Sequence, residues 1–113
     1  MNINKTIEKT LSGFVSGKIY PMVCTDQNKP EKYIVYNPAL EKPAYYADNH
    51  SGEWVAHMQV HYFAKGNVNA VKIKRSISDV LESAGFCVDE VHTDYENETR
   101  YTHITFACNA VMD

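Results

Sequence analysis

Residues 53–65, EWVAHMQVHYFAK, decide the fold. The stretch holds His57 and His61, four positions apart. On a helix those two imidazoles share a face and lie close enough for one zinc ion. On a strand they also share a face, but four rises separate them by roughly 13 Å. Zinc ligands sit about 2 Å from the metal, so that separation is too long for a shared ion. The apolar pattern chooses between the two. Trp54, Ala56, Met58, Val60 and Tyr62 alternate with Val55, His57, Gln59, His61 and Phe63. A period of two with one mainly apolar face predicts a strand. A helix would scatter those residues around its cylinder. The histidines then occupy the more polar face, and a metal needs a third ligand from another strand. Without one they are two partly exposed imidazoles on a sheet surface.

Gly66-Asn67 ends the strand, and 67–84 read as a helix. Ile73, Ile77, Val80, Leu81 and Ala84 form one stripe, with Val71 at its margin. Asn67 or Asn69 caps the start, and Gly85 suits the left-handed residue after the end. Lys72, Lys74 and Arg75 cluster early in this helix. Cations there oppose the helix dipole. They read either as a solvated face or as an answer to an acidic neighbour or partner.

Residues 86–94 and 100–111 predict two strands joined by 95–99. In the last one Ile104, Phe106, Cys108 and Ala110 form the core face. A hairpin centred between Asn97 and Glu98 places Cys87 opposite Cys108 and His92 opposite His103. The turn lacks the Asn-Gly pair that would fix this register.

Upstream, Ile7, Leu11 and Phe14 mark an amphipathic helix over 4–14, capped by Asn2 or Asn4 and stopped by Pro21. A short strand or extended entry is expected over 20–24 and a loop over 26–31. Tyr33-Ile34-Val35-Tyr36 is a β-prone run closed by Asn37-Pro38. Pro43 limits 44–48 to a short edge strand or the arm of a hairpin, and 48–52 is a turn by composition. The order α-β-β-β-α-β-β predicts an α+β fold. Its largely antiparallel sheet has two helices packed on one face, in a single domain spanning 1–113.

The totals exclude several classes. The 113 residues carry a net charge of −3, which supplies no basic field for nucleic acid. No apolar run approaches the length of a membrane helix. Polar residues run through the first ten positions with no apolar signal-peptide core, so the expectation is a cytoplasmic protein, or one released from cytoplasm. Three cysteines, widely spaced and without CxxC, argue against a disulfide framework and a zinc knuckle. They read as small buried hydrophobes.

No phosphate loop, HExxH, GxSxG or dinucleotide fingerprint is present. Asp89, Glu90, Asp94, Glu96 and Glu98 gather on the last hairpin, where solvated charge is a better reading than a buried catalytic carboxylate pair. Cys108 lies on an apolar face, which argues against cysteine–histidine catalysis; Cys24 with His103 has no supporting spacing. Eight tyrosines, most in or beside predicted strands, suit half-buried sheet faces and interfaces alike.

Several stretches, in order, resemble the small tail-completion proteins (head–tail joining, or tail terminator) of long-tailed bacteriophages and Gram-positive prophages. They are Tyr33-Ile34-Val35-Tyr36, Tyr46-Ala47-Asp48-Asn49 and Val60-His61-Tyr62-Phe63-Ala64-Lys65-Gly66-Asn67, then Ala84-Gly85-Phe86. Tyr95-Glu96-Asn97-Glu98-Thr99 with Tyr101 and His103 completes the set. The resemblance runs over roughly residues 20 to 110. It implies a non-enzymatic virion protein without a cofactor. It implies a ring, commonly of six copies, that caps the tail tube and docks to the head connector. The expected location is the virion, with assembly in the host cytoplasm. Opposite charges then make the acidic hairpin (Asp94, Tyr95, Glu96, Glu98, Tyr101) and the basic helix start (Lys72, Lys74, Arg75) the candidate interface. The alternatives are an unrelated homo-oligomeric scaffold and a small host α+β enzyme or binding domain. The last would use His57, His61, His92 and His103 on one sheet face around a metal.

Overall fold

A computed structural model describes residues 1–44, 53–66 and 68–112. Helix α1 (Ile3–Leu11) runs into a 3-10 turn (Ser12–Val15), then strands β1 (Ile19–Pro21), β2 (Lys32–Ala44) and β3 (Glu53–Lys65). Helix α2 (Ala70–Ser83) and strands β4 (Cys87–Glu96) and β5 (Tyr101–Met112) follow. The strands form one sheet in the order β1-β2-β3-β5-β4. Pairing is antiparallel except where short β1 runs parallel to β2. This is the expected α+β fold with its two helices on one face.

Strand β3 sits at the centre and pairs along its length with β2 and β5. Ala56, Met58, Val60, Tyr62 and Ala64 are buried on one face. Ile34 and Tyr36 of β2, and Ile104, Phe106 and Cys108 of β5, extend that face. The helices cover it with Ile3, Ile7 and Leu11 from α1 and Ile77 and Leu81 from α2. The stripes at three- and four-residue spacing are what let each helix lie flat on the sheet. Asn2 caps α1 by accepting from Lys5 N at 3.1 Å, and Asn69 caps α2 by accepting from Val71 N at 3.1 Å. After α2 the chain turns at Gly85, whose φ of +104° favours glycine. A Cβ there would also meet the Met1 side chain at 2.8 Å. The Tyr36 hydroxyl donates to Glu8 Oε2 and ties α1 to β2.

The opposite face has a second, smaller core. The connection from β1 to β2 crosses it and buries Cys24 against Tyr33, Val35 and Tyr101. The Tyr101 hydroxyl donates to the Pro30 carbonyl at 2.6 Å, and Lys65 N donates to the Glu31 carbonyl at 2.7 Å. Tyr33 and Phe63 stack with centroids 4.6 Å apart.

Four local expectations are corrected. Asn37-Pro38 does not close a strand: β2 continues through Pro38 and Pro43 to Ala44. β1 covers its outer edge only from Ile34 to Tyr36, so beyond that point a proline removes no ladder bond. A register shift between Pro38 and Leu40 absorbs the irregularity. β1 stops at Pro21 rather than reaching Cys24, because Met22 turns with φ of 70°. The last hairpin is centred further along, with Glu96 opposite Tyr101 across a turn ending at Arg100, φ 64°. That centre sets His92 opposite Thr105, and a second shift between Val88 and Glu90 sets Cys87 opposite Asn109. Finally, Cys24 and Cys108 are buried but Cys87 is exposed on the edge strand. The strand and turn expected over 44–52 lie, from 45 onward, outside the described residues, as does Asn67.

Leu81 is fully buried, so Leu81→Ala should cost about 2–5 kcal/mol in denaturant unfolding. Exposed Val71→Ala should stay within about 0.5 kcal/mol. Burial pushes the Cys108 thiol up to about 12, with smaller contributions from Asp89 and Cys87. A thiol reagent at neutral pH should therefore label Cys87 in the native chain and reach Cys24 and Cys108 only on unfolding; native labelling at Cys108 would contradict this core.

Candidate functional site

Two groups of polar residues stand out. The first gathers at one end of the sheet, where β3 ends, α2 begins and the β4–β5 hairpin turns. Gly66 N donates to the Arg100 carbonyl at 2.8 Å, and the Thr102 hydroxyl donates to the Gly66 carbonyl at 2.6 Å. These bonds fix the start of α2 beside the hairpin. Lys72 and Arg75 are exposed there and Lys74 is half-buried. Among the described residues none of the three forms an ion pair. Asp94, Tyr95 and Glu98 are exposed on the hairpin, and Glu96 is half-buried. The predicted acidic and basic patches therefore occupy the same end of the molecule. Tyr101 differs from the rest. It is 6% exposed and anchors the hairpin to the crossing loop from inside.

The second group lies on the face opposite the helices. His61 Nδ1 is 2.9 Å from His103 Nε2, a contact made possible by the pairing of His61 with Thr105 and of Phe63 with His103. His61 Nε2 lies 3.2 Å from Asn37 Oδ1, and His103 Nδ1 lies 3.3 Å from Glu96 Oε2. The Thr105 hydroxyl is within 3.3 Å of both inner nitrogens. Phe63 stacks on the His103 ring, with centroids 4.2 Å apart. Asn37, His61, His103 and Glu96 thus form a row across β2, β3, β5 and β4. An open hollow of about 320 Å³ lies against it, bordered by Met22, Val23, Cys24 and Lys29. Met22 and Val23 are among the most exposed apolar side chains of the chain.

The four-histidine metal face is corrected by this geometry. His61 and His103 meet, but His92 is exposed and turns to Glu90 at 2.9 Å. His57 is four rises from His61 on β3, and its Nε2 is buried without a partner among the described residues. Among the described residues no three histidine, cysteine or carboxylate side chains converge on a possible ion. Sequence reasoning missed Asn37, taken as a strand end, and Thr105. Alternation had placed His61 and His103 on the non-core face of their strands, but only the β3–β5 register brings them together.

No known protein family matches the chain, and no curated protein does. Among solved structures, the chain is similar to one in the virion of a native gene transfer agent (GTA) particle. The TM-score is 0.64 at 12% sequence identity, covering 97% of this chain and 90% of that one. At that identity the likeness shows a shared fold. Among the described residues no helix is long and apolar enough to cross a membrane.

Burial, and then the neighbouring His103, hold the His61 pKa below its ordinary 6.5. The unfolded chain therefore binds more protons at this site than the folded one. The His61 contribution to stability is full above pH 6.5 and is lost as pH falls through that value toward the lower folded pKa. Denaturant midpoints measured from about pH 8 to about pH 5 should drop less in His61→Gln than in the native chain. Equal drops would show that His61 carries none of the effect.

Proposed function

We propose that this chain is a non-enzymatic structural protein of a phage-like virion. In this reading it assembles as a ring, commonly of six copies, that terminates the tail tube and joins it to the head connector. Assembly takes place in the host cytoplasm and the product resides in the virion. One observation carries the reading: the fold is shared, over nearly the full length of both chains, with a chain of a gene transfer agent virion. The motif order that resembles tail-completion proteins points the same way.

A closed ring built head to tail needs two different, complementary patches on each copy. The acidic hairpin with Asp94, Tyr95, Glu96 and Glu98 is one, and the helix start with Lys72, Lys74 and Arg75 is the other. Both lie at one end of the sheet, so that end faces the neighbouring copies. Tyr101, buried beneath the hairpin, serves by holding it in shape. A second reading, a small-ligand site on the histidine face, draws on the open hollow beside His61 and His103.

The double variant Lys72→Glu and Lys74→Glu sets like charge against the hairpin of the next copy. It should raise the concentration needed for assembly by about tenfold or more at low salt. The measurement is light-scattering mass across a dilution series. High salt should shrink the difference between native and variant chains. Identical assembly at low salt would remove these residues from the interface.

A further inference from the structure

The row on the histidine face poses a problem of proton count. Asn37 Nδ2 faces the Pro38 carbonyl at 3.4 Å, and a carbonyl only accepts. That contact turns Asn37 Oδ1 toward His61, so His61 carries a hydrogen on Nε2 and donates across 3.2 Å. At the other end an ionised Glu96 also only accepts, so His103 carries a hydrogen on Nδ1. Glu96 is held for this by the Thr99 hydroxyl, which donates to its other oxygen at 2.7 Å.

With both outer nitrogens occupied, two neutral rings would present only lone pairs to each other across 2.9 Å. Lone pairs at that distance repel. The Thr105 hydroxyl has a single hydrogen and can satisfy one inner nitrogen, not both. A proton between the rings turns the same contact into a charge-assisted hydrogen bond. We infer that His61 and His103 share one extra proton, and that this proton closes a clasp fastening edge strand β4 and its hairpin to the centre of the sheet.

The surroundings favour one proton and oppose two. Glu96 supplies a carboxylate, and Asp94 stands opposite His103 in the β4–β5 ladder. On β4, His92 turns to Glu90 and away from the row. From the other side, around the hollow, come Tyr33, the Cys24 thiol, and Lys29, whose ammonium is held by the Cys24 carbonyl at 2.9 Å; the Tyr101 hydroxyl is turned to the Pro30 carbonyl. Burial and the charge already on His103 both resist a second proton on His61. When the pair loses its shared proton, the row breaks at its middle or Asn37 turns away from Pro38. Either change loosens β4, which among the described residues pairs only with β5. The device belongs to the chain itself and holds whether or not the chain forms a ring.

The test is nitrogen-15 NMR of the histidine rings on the native chain, from about pH 9 to about pH 5. The expected result is uptake of one proton by the pair, with one ring-to-ring hydrogen-bonded proton visible at the acidic end. Hydrogen exchange of the β4 amides, corrected for intrinsic rate, should slow several-fold as that one shared proton is taken up, above the pH at which a second proton on His61 begins to destabilise the fold. His61→Gln should abolish both signals, and Glu96→Gln should move them to lower pH. If His61→Gln does not fold, the native titration decides alone. Independent titration of the two rings, unchanged β4 exchange, or a zinc ion taking the proton's place at micromolar concentration would each overturn the proposal.

Discussion

The pairing of β3 with β2 on one side and β5 on the other holds everything else in place. Its side chains alternate, and both faces are used. Ala56, Met58, Val60 and Tyr62 point to the helices, while His61 and Phe63 point to the crossing loop and the polar row. A slip of one residue would exchange these faces and drive imidazoles into the main core. The alternation therefore fixes register as well as strand type. Once β3 is set, each helix needs only one apolar stripe to cover the sheet. The back face receives what remains: an aromatic cluster and a row of hydrogen-bonding groups.

Much of this fold was legible in the sequence. β3 declared itself because a half-buried strand writes a period of two over its whole length. α2 did so through Ile73, Ile77 and Leu81, an asparagine cap and Gly85 at its exit. What was hidden depended on neighbours distant in sequence. Pro38 and Pro43 read as strand breakers, and only the short reach of β1 makes them harmless within β2. The last hairpin turns at Arg100 in a left-handed conformation without glycine, so nothing in the sequence announced the register. The site was hidden for the same reason. His57 and His61 attract notice because they are close in sequence, yet the meaningful partner of His61 is His103, placed there by the ladder between β3 and β5.

The proposed structural role draws on the sheet's end rather than on the hollow. The hollow beside the histidines is open, and the groups of the polar row bond to one another across the strands. The charges of the proposed interface lie at one end of the sheet, on a hairpin and a helix start held together by Gly66, Arg100 and Thr102. A stiff sheet with such an end can present the same surface to every neighbour in a closed assembly. The row from Asn37 to Glu96 runs into that same hairpin, so the state of the histidines bears on the surface the proposed interface uses.

The central claim is that copies of this chain close into a ring. Negative-stain electron microscopy of the purified, concentrated chain tests it most directly. The account predicts discrete closed rings of uniform size, about six copies around a central channel. Monomers alone at every concentration, or open filaments without closure, would contradict it.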